Sequence, residues 1–518
     1  MTKAFNLLDE PWIPVRTRSG DVRDVGLLDA LLHASEYAGL AETSPPNLIA
    51  LYRLLLAITH RALTTQHGPW RDADRASWFR EGLPDSALRN YLEHWREHFW
   101  LFHPEHPFMQ VAALAEAPET KDKFKSWTQV ALEGASGNTP VVFDHAMDAM
   151  PVTIPYRQAT RNLLGFLQFT PGGLVKTFRD SDKAGPLANT SAVVPAGSRL
   201  AETLLLGLHP YLAHSKEDLP AWELSPLIVA DLKSDAKLPT GPNDRYTRLT
   251  RAVLFAANEQ SEQVSRLRFG AGLALGDDMN TPDPMACYRI NKDGKSIRIS
   301  FHEGRAVWRD LPSLLPDMSG KFDLPPAVLG WATNLYNAIG QWDIAVPVLC
   351  AGLASDQAKL LRWRAERIEL PPALLANPDA AATLRQQMQR CEDTYFRLRG
   401  ICSEMIAGTM PDPEQKDTRS RARAIQERGP AAGAFFSTTE RALPQLMQTI
   451  AAGEIDAAHR DWSATLVAAS EIAWEATRRS LGLSTAVLRA EARAYPRFRR
   501  LLRSLAAKTD STAEEIPS

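Results

Sequence analysis

Apolar residues recur at helical spacing in four long segments, about residues 378–408, 432–452, 455–481 and 485–507. These segments are rich in Ala, Leu, Arg, Glu and Gln, which are good helix formers. Short breaks separate the segments, at Pro411-Asp412-Pro413, Gly429-Pro430, Gly453 and Gly482. Ser484-Thr485 is a suitable N-cap for the last segment. The pattern predicts four helices in an antiparallel bundle.

A proline pair marks the boundary between this helical region and the rest of the chain. Pro371-Pro372 follows the charged run Arg362–Glu369 and interrupts regular structure. We therefore expect an α+β protein with two domains. Residues 1–370 form a mixed α+β domain with long loops, and residues 371–518 form the four-helix bundle.

The first region alternates between strand and helix patterns. Trp12–Val15 and Val22–Val25 flank a polar turn, which predicts a hairpin. Helical spacing predicts helices at Leu48–Leu63 and Asp85–Phe99. Asp85 or Ser86 is expected to cap the second of these helices.

Further along, strand patterns and long loops are expected. Arg289–Ile299 and Arg305–Trp308 alternate like strands. Gly134–Val152 and Gly172–Gly197 show little periodicity and are predicted to be irregular. Loops of that length inside a domain are often functional.

Composition and charge narrow the class of protein. The chain has 518 residues, of which 44% are hydrophobic and 23% charged, as in globular proteins. The apolar run Leu48–Ile58 is too short to span a bilayer, and the N-terminus lacks a signal-peptide pattern, so we expect a cytoplasmic protein without a membrane partner. The net charge of −2 argues against a dedicated DNA coat. Any contact with nucleic acid is expected through local patches or within a larger complex.

The cysteines do not indicate a metal or disulfide framework. Cys287, Cys350, Cys391 and Cys402 lie far apart, and no pair forms C-x-x-C. We expect reduced, buried thiols.

One histidine-rich run is a candidate for chemistry. His103-Pro104-Glu105-His106 places two imidazoles and a carboxylate close together, and Asp144-His145 adds a base with its orienting partner. A metal-dependent hydrolase built on these residues is the alternative to a binding function. However, Pro104 and Pro107 prevent the helical spacing of a zinc protease, and a structural turn explains the run. We expect no catalytic centre, metal or cofactor.

Two other patterns are typical of contacts with phosphates. Thr170-Pro171-Gly172-Gly173 contains adjacent glycines, which allow the backbone to approach a ligand closely. Arg489, Arg493, Arg497 and Arg500 form a basic stripe on a helix that Pro496 is expected to kink. A tight turn and a solvated helix face are the structural interpretations of the same patterns.

Several runs together resemble the CasA family, the large subunits of type I-E CRISPR surveillance complexes (Cascade). The resemblance extends over essentially the whole chain and rests on the following runs: Phe5-Asn6-Leu7-Leu8-Asp9-Glu10-Pro11-Trp12-Ile13-Pro14-Val15, His103-Pro104-Glu105-His106-Pro107-Phe108-Met109-Gln110, Ser136-Gly137 with Phe143-Asp144-His145, Pro171-Gly172-Gly173, and Gly352 with Asp356-Gln357-Ala358. The first two runs are specific, whereas the glycine turn is informative by its position.

The resemblance implies a binding protein rather than an enzyme. Members of this family recognise the protospacer-adjacent motif (PAM) in double-stranded DNA, start strand separation and offer a docking surface to a helicase–nuclease. Other subunits hold a guide RNA, which reads the remaining sequence by base pairing. The expected partners are therefore the other Cascade subunits, guide RNA, duplex target DNA and the helicase–nuclease. A purely structural scaffold is the third interpretation.

The resemblance also implies roles for particular residues. Gly172 and Gly173 would press against the minor groove of the PAM, and Gln357 would be the wedge, in a turn shaped by Asp356 and Ala358. Phe143, Asp144 and His145 would lie in a loop that reaches toward the 5′ end of the guide, or that is anchored in its own core. Arg268 is the nearest candidate for the lysine that the family places in the minor groove. Some relatives carry a cysteine cluster, of which Cys287 alone is present here, so a zinc site is not expected.

Overall fold

The computed structural model describes residues 3–132, 153–173, 175–212, 215–258, 262–276, 282–291, 293, 296–299, 305–317, 323–341, 344–356 and 359–506. Contacts divide the chain into two compact units. The first unit contains Met1–Val307 and Ser319–Ile368, and the second contains Trp308–Met318 and Glu369–Ser518.

The strands are short: β1 Ala4–Asn6, β2 Ile13–Thr17, β3 Val22–Val25, β4 Tyr37–Leu40, β5 Trp100–Phe102, β6 Lys125–Ser126, β7 Ile154–Pro155, β8 Ser191–Pro195, β9 Arg251–Asn258, β10 Gln263–Ala271, β11 Tyr288–Ile290, β12 Ser296–Arg298, β13 Asp323–Leu324, β14 Val346–Asp356 and β15 Lys359–Leu370. Within the described residues they form five small sheets, with strand orders β1-β5, β3-β2-β4, β6-β10-β7 with β9 also paired to β10, β12-β11-β13 and β15-β14-β8.

The α-helices are α1 Leu27–Leu32, α2 Pro45–His67, α3 Asp72–Glu81, α4 Asp85–His94, α5 Tyr156–Phe169, α6 Leu200–Gly207, α7 Val229–Leu232, α8 Pro242–Thr247, α9 Ala327–Ile339, α10 Pro372–Ala376, α11 Pro378–Ala407, α12 Lys416–Arg428, α13 Ala431–Ala451, α14 Ile455–Leu481 and α15 Thr485–Ala506. Short 3-10 helices are formed by Arg96–Phe99, Ala112–Ala115, Trp127–Val130, Ala221–Glu223 and Val307–Leu314.

Helix α2 is the centre of the first unit, where it packs against α4, α5 and α8. In the described part of the chain it is the one helix long and apolar enough to cross a membrane, and 89% of its most apolar stretch is buried inside the protein. Its buried Arg53 donates hydrogen bonds to Gln168 (2.9 Å) and Asp283 (2.5 Å). The helix is therefore a core element of the fold.

The predicted opening hairpin is confirmed, since β2 and β3 pair antiparallel with Ile13 opposite Val25. The second predicted helix begins at Asp85, but it is preceded by Pro84 and has no side-chain cap, so the expected capping role of Asp85 or Ser86 is wrong. Proline fixes the extended backbone that leads into the helix. The helix ends at His94 and is followed by the 3-10 turn Arg96–Phe99.

Two other expectations for the first region need correction. The predicted strand at Arg305–Trp308 is wrong, because Val307–Leu314 forms a 3-10 helix that buries Val307, Leu311 and Leu314. The predicted loop Gly172–Gly197 contains strand β8, which pairs with β14 and places Val193 opposite Cys350. By contrast, the strand pattern at Arg289–Ile299 is confirmed by the antiparallel pair β11 and β12.

The mixed α+β first region and the four predicted long helices are confirmed, the latter as α11, α13, α14 and α15. Ser484 caps α15, since its Oγ accepts a hydrogen bond from the Val487 N–H at 3.3 Å. A further helix, α12, lies between the predicted breaks. It is highly charged and buries Ala422 and Gln426, so it lacks the apolar stripe by which the others are recognised.

The four cysteines are free and buried, as expected. Burial raises the pKa of the Cys391 thiol to about 12 and that of Cys402 to about 11. These thiols are therefore protonated at neutral pH and behave as small apolar side chains.

Candidate nucleic-acid interface

The glycine turn, Thr170–Gly173, follows directly on helix α5. The Thr170 N–H donates to Phe166 at 2.9 Å and ends the helix, and the Thr170 carbonyl accepts from the Gly185 N–H at 2.8 Å. Gly173 exchanges two backbone hydrogen bonds with Asp182, at 3.2 and 2.9 Å. The turn is thus the closed base of a loop whose outer residues reach the surface.

A buried arginine fixes this base. The Arg251 guanidinium donates to the carbonyls of Pro171 and Lys183, both at 2.8 Å, and lies 2.9 Å from the Asp182 carboxylate. Both charged side chains are at most 1% exposed. Burial raises the pKa of Asp182, and the neighbouring guanidinium opposes this effect. Through these contacts Arg251 joins three backbone segments. The sequence analysis did not identify this arginine.

The glycines of this region differ in the space around them. A Cβ atom at Gly185 would lie 2.6 Å from the Gln168 carbonyl oxygen, and one at Gly172 would lie 3.2 Å from the Ala184 nitrogen. At Gly173, no described atom lies within 4 Å of such a Cβ. Gly173 is exposed, and its φ is not positive. The fold therefore has a reason for glycine at 185 and 172 but not at 173.

Strand β10 packs beside the loop that the glycine turn closes. The Ala271 N–H donates to the Thr177 carbonyl at 3.2 Å, and a Cβ at Gly270 would lie 2.6 Å from the Phe178 ring. Arg268 precedes Gly270 by two residues and so shares its face of the strand. The strand that carries Arg268 therefore contacts the loop that the glycine turn closes, through Gly270 and Ala271.

The Arg268 side chain is held by the segment that leads into β6. Its guanidinium donates to the Lys121 carbonyl at 3.1 and 3.2 Å and lies 4.5 Å from the centre of the Phe124 ring. Phe124 is 43% exposed although it is a large apolar residue. An arginine fixed in this way keeps its charge at the surface in a defined position.

Arg268 belongs to a wider basic strip, which we define as Lys121, Lys123, Lys125, Arg266 and Arg268. The three lysines and Arg266 are exposed. Lys121 and Lys123 precede β6, Lys125 begins it, and β6 pairs with β10, which carries the two arginines. Lysines at alternate positions flank Phe124 in the sequence, and this alternation is the signal that could have revealed the strip.

In the sequence, the predicted wedge residues fall at the end of β14 and before the start of β15. Asp356 ends β14, whereas Gln357 and Ala358 lie outside the described residues, as do Phe143, Asp144 and His145. On β15, Trp363 packs edge-on against Phe169, with the ring centres 5.8 Å apart. Phe169 is the last residue of α5 before the glycine turn. This contact ties the strand pair to the helix that ends in the turn.

The histidine-rich run has a structural role. The His103 Nδ1 accepts the N–H groups of Glu105 (3.1 Å) and His106 (2.9 Å). The Gln110 side chain donates to Leu101 and accepts from the Phe255 N–H, so it joins β5 to β9. The run therefore supports β9, the strand that begins at Arg251.

The same run gives the hydrolase alternative no support. The His106 ring stacks on His98, with the ring centres 4.4 Å apart, and is tilted against the His103 ring at 5.5 Å. Among the residues that the structure describes, no group of three His, Cys, Asp or Glu side chains is arranged to hold a metal ion.

Comparison with known proteins identifies the family. Residues 6–473 match the family described as CRISPR-associated protein Cse1. The CRISPR-associated protein CasA/Cse1 of Thermus thermophilus is 34% identical over 511 residues, which are 97% of this chain and 98% of that protein. A solved structure of Thermus thermophilus CasA has a TM-score of 0.83 at 31% identity and covers 97% of this chain and 100% of its own. A chain of a solved CRISPR RNA-guided surveillance complex shares the fold, with a TM-score of 0.73 at 21% identity, covering 98% of this chain and 100% of its own.

These matches, together with the mixed first unit and the helical second unit, define a CRISPR-associated protein. The chain belongs to the Cse1 family, whose members are also called CasA.

Proposed function

We propose that this chain is the duplex-sensing subunit of a type I-E CRISPR surveillance complex. It recognises the PAM in double-stranded DNA, initiates unwinding so that guide RNA can pair, and offers a docking surface to the helicase–nuclease. Its other partners are the remaining Cascade subunits and the guide RNA. It breaks no covalent bond and needs no cofactor or metal. The observation that carries the proposal is Gly173, an exposed glycine that the fold itself does not require.

A glycine without a structural reason is explained by a ligand that approaches the backbone closely. In this proposal the glycine turn lies against the minor groove of the PAM. The minor groove carries a degenerate hydrogen-bonding pattern, so several related motifs are accepted. The basic strip attracts the phosphates beside it, and Arg268 reaches the groove from its anchored position. The near-neutral chain leaves most of the nucleic acid to its partners.

Strand separation requires a second element. Gln357, in the turn that Asp356 and Ala358 flank, enters the base stack beside the PAM. Unstacking one step costs a few kcal/mol, which contacts to the deformed duplex offset. The contact between Trp363 and Phe169 supports this role, because a wedge works only when it is fixed relative to the turn that reads the PAM. Phe143, Asp144 and His145 reach toward the 5′ end of the guide.

The test is a reconstituted complex that carries Gly173→Leu. We expect at least about ten-fold weaker binding of PAM-containing duplex, because the side chain holds the backbone away from the groove. Gly330→Leu is the matched control, since Gly330 is also exposed and no described atom lies within 4 Å of a Cβ there. Equal binding by both variants and the parent complex contradicts the proposal.

Gln357→Ala separates the wedge from a scaffold role. The proposal expects the variant complex to bind the PAM duplex but to open it more slowly, as measured by the reactivity of unpaired thymines. If the variant opens matched duplexes as fast as the parent complex, the chain is a scaffold and not an unwinding subunit.

A further inference from the structure

The helical unit contains a groove that the proposed function does not use. It lies between α11, α12 and α15 and encloses about 720 Å³, and a second hollow of about 330 Å³ adjoins it along α11. We call the two together the arginine groove. Its walls carry seven arginines: Arg390, Arg397, Arg399, Arg419, Arg423, Arg493 and Arg497.

The groove has an excess of positive charge. Four carboxylates share the lining with the seven arginines, and two of them form exposed ion pairs, Glu404 with Arg497 and Glu414 with Arg419. Such exposed pairs contribute little to stability and open readily. In the part of the chain that the structure describes, no carboxylate lies within ion-pair distance of Arg423 or Arg493. An anionic partner would therefore meet available guanidinium groups on both sides of the groove.

An aromatic ring stands where the two hollows meet. Phe396 lines both of them and is 66% exposed, more than Phe124 in the first unit. The Arg399 guanidinium lies over one face of the ring, 5.2 Å from its centre, and leaves the other face for a ligand. An exposed phenylalanine beside arginines offers a flat face on which a planar group can stack.

The floor of the groove is made of small residues, because α11 and α15 approach closely. A Cβ atom at Gly408 would lie 2.9 Å from the Ala490 Cβ, so this glycine is needed for the contact between the helices. Gly400, one turn from Phe396, is different: across the described ranges, no atom lies within 4 Å of a Cβ placed there. The open space above Gly400 is accessible to a ligand.

We propose that the arginine groove binds single-stranded nucleic acid without sequence preference. The guanidinium groups contact successive phosphates, and one base stacks on Phe396. A basic groove with an aromatic platform is the combination that single-strand binding requires. An acidic peptide would use the arginines but would have no use for the exposed ring. The inference is independent of the glycine turn, because a single strand has no minor groove to read.

The test is binding of the purified full chain to a fluorescent oligothymidylate of about 12 nucleotides, followed by anisotropy. Phe396→Ala is expected to weaken binding about five-fold or more, because one stacking contact is lost. Gly400→Leu is expected to weaken it similarly by filling the groove, and it replaces a poor helix former with a good one. Gly433→Leu is the matched control in α13, where a Cβ is also unobstructed, and it is expected to bind like the parent chain.

Salt dependence tests the charged contacts separately. The triple variant Arg399→Gln, Arg423→Gln, Arg493→Gln is expected to lower the slope of log affinity against log salt by about two. The proposal is overturned if Phe396→Ala and Gly400→Leu bind the oligonucleotide like Gly433→Leu. It is also overturned if polyglutamate displaces the oligonucleotide and binds equally well to Phe396→Ala, since the groove then accepts acidic protein segments.

Discussion

Two buried arginines in the first unit each have a carboxylate as a specific partner. Arg53 meets Asp283, and Arg251 meets Asp182, in both cases with side chains at most 1% exposed. A buried pair of this kind is costly to break, because removal of one partner leaves an uncompensated charge in an apolar environment. These buried pairs therefore fix the positions of the backbone segments that they join.

Replacement of Arg251 by alanine is expected to lower the free energy of unfolding by about 3–5 kcal/mol. The Asp182 carboxylate loses its counter-charge, and the Pro171 and Lys183 carbonyls lose a donor. Urea unfolding of the purified chain measures the effect. The double variant Arg251→Met, Asp182→Leu is expected to regain part of the loss, and a double variant as unstable as the single one would show that the charge is not the cause.

His60 makes stability depend on pH. It lies in the core, stacked on His209 at 3.6 Å, and burial lowers the pKa of His60 to about 3. Between that value and the ordinary pKa of about 6.5, the unfolded chain binds a proton that the folded chain excludes, so stability falls as pH falls through this window.

The expected contribution of His60 is about 1.4 kcal/mol per pH unit below pH 6.5. His60→Gln removes it, so the difference in unfolding free energy between parent and variant should shrink by about 2 kcal/mol from about pH 6.5 to pH 5. His94→Gln, at an exposed position, is the control. Parallel pH curves for the parent chain and His60→Gln would contradict this assignment.

Single residues were the hardest features to predict from the sequence. The run His103–Gln110 was recognised as a family signature, but its role as a buttress depends on contacts with β5 and β9 that are distant in the chain. Arg251 gave no signal, because an arginine in a sequence is ordinarily exposed and only the fold shows that this one is buried.

At the scale of elements, sequence periodicity predicted the helices that have a clear apolar stripe. The long helices α11, α13, α14 and α15 were predicted within a few residues. Helix α12 was missed because it is charged on nearly every face. The strand prediction for Arg305–Trp308 is wrong because a short apolar run fits either period, and a 3-10 helix begins at Val307. The strand β8 was missed because its pairing with β14 is not local.

The glycine turn gives a prediction at this scale. Gly185→Ala is expected to destabilise the chain by about 1–3 kcal/mol, because the new methyl group meets the Gln168 carbonyl oxygen. Gly173→Ala is expected to change stability by less than about 0.5 kcal/mol, since the methyl group enters open space. Thermal or urea unfolding compares the two. A large loss at Gly173 would mean that the fold, and not a ligand, requires glycine there.

At the scale of the whole molecule, the order of the chain differs from its grouping in space. Trp308–Met318 belongs to the helical unit, although it precedes the proline pair by more than fifty residues. Arg309 forms two hydrogen bonds with Glu392, at 2.8 and 2.7 Å, and lies 3.5 Å from the centre of the Phe436 ring. The sequence predicted the bundle but not this contribution, since no local pattern links residues so far apart.

Arg309→Ala is expected to destabilise the helical unit by about 1–2 kcal/mol, a moderate value because Glu392 is partly exposed. Hydrogen exchange measured by mass spectrometry should become faster in α11 and α13, which Arg309 joins, and should stay unchanged in α2. Faster exchange throughout the chain would indicate a general loss of folding instead.

The segment Trp308–Met318 belongs to the helical unit but lies before the proline pair. This arrangement makes the protein suitable for fragment complementation. A polypeptide of residues 1–370 carries this piece of the helical core, and a polypeptide of residues 371–518 lacks it. Co-expressed as separate halves, the two should therefore find each other and copurify, because Trp308, Leu311 and Leu314 are otherwise left without the surface that covers them. Expressed alone, the second half should be poorly soluble, so severing the chain at its proline pair does not yield two self-sufficient proteins.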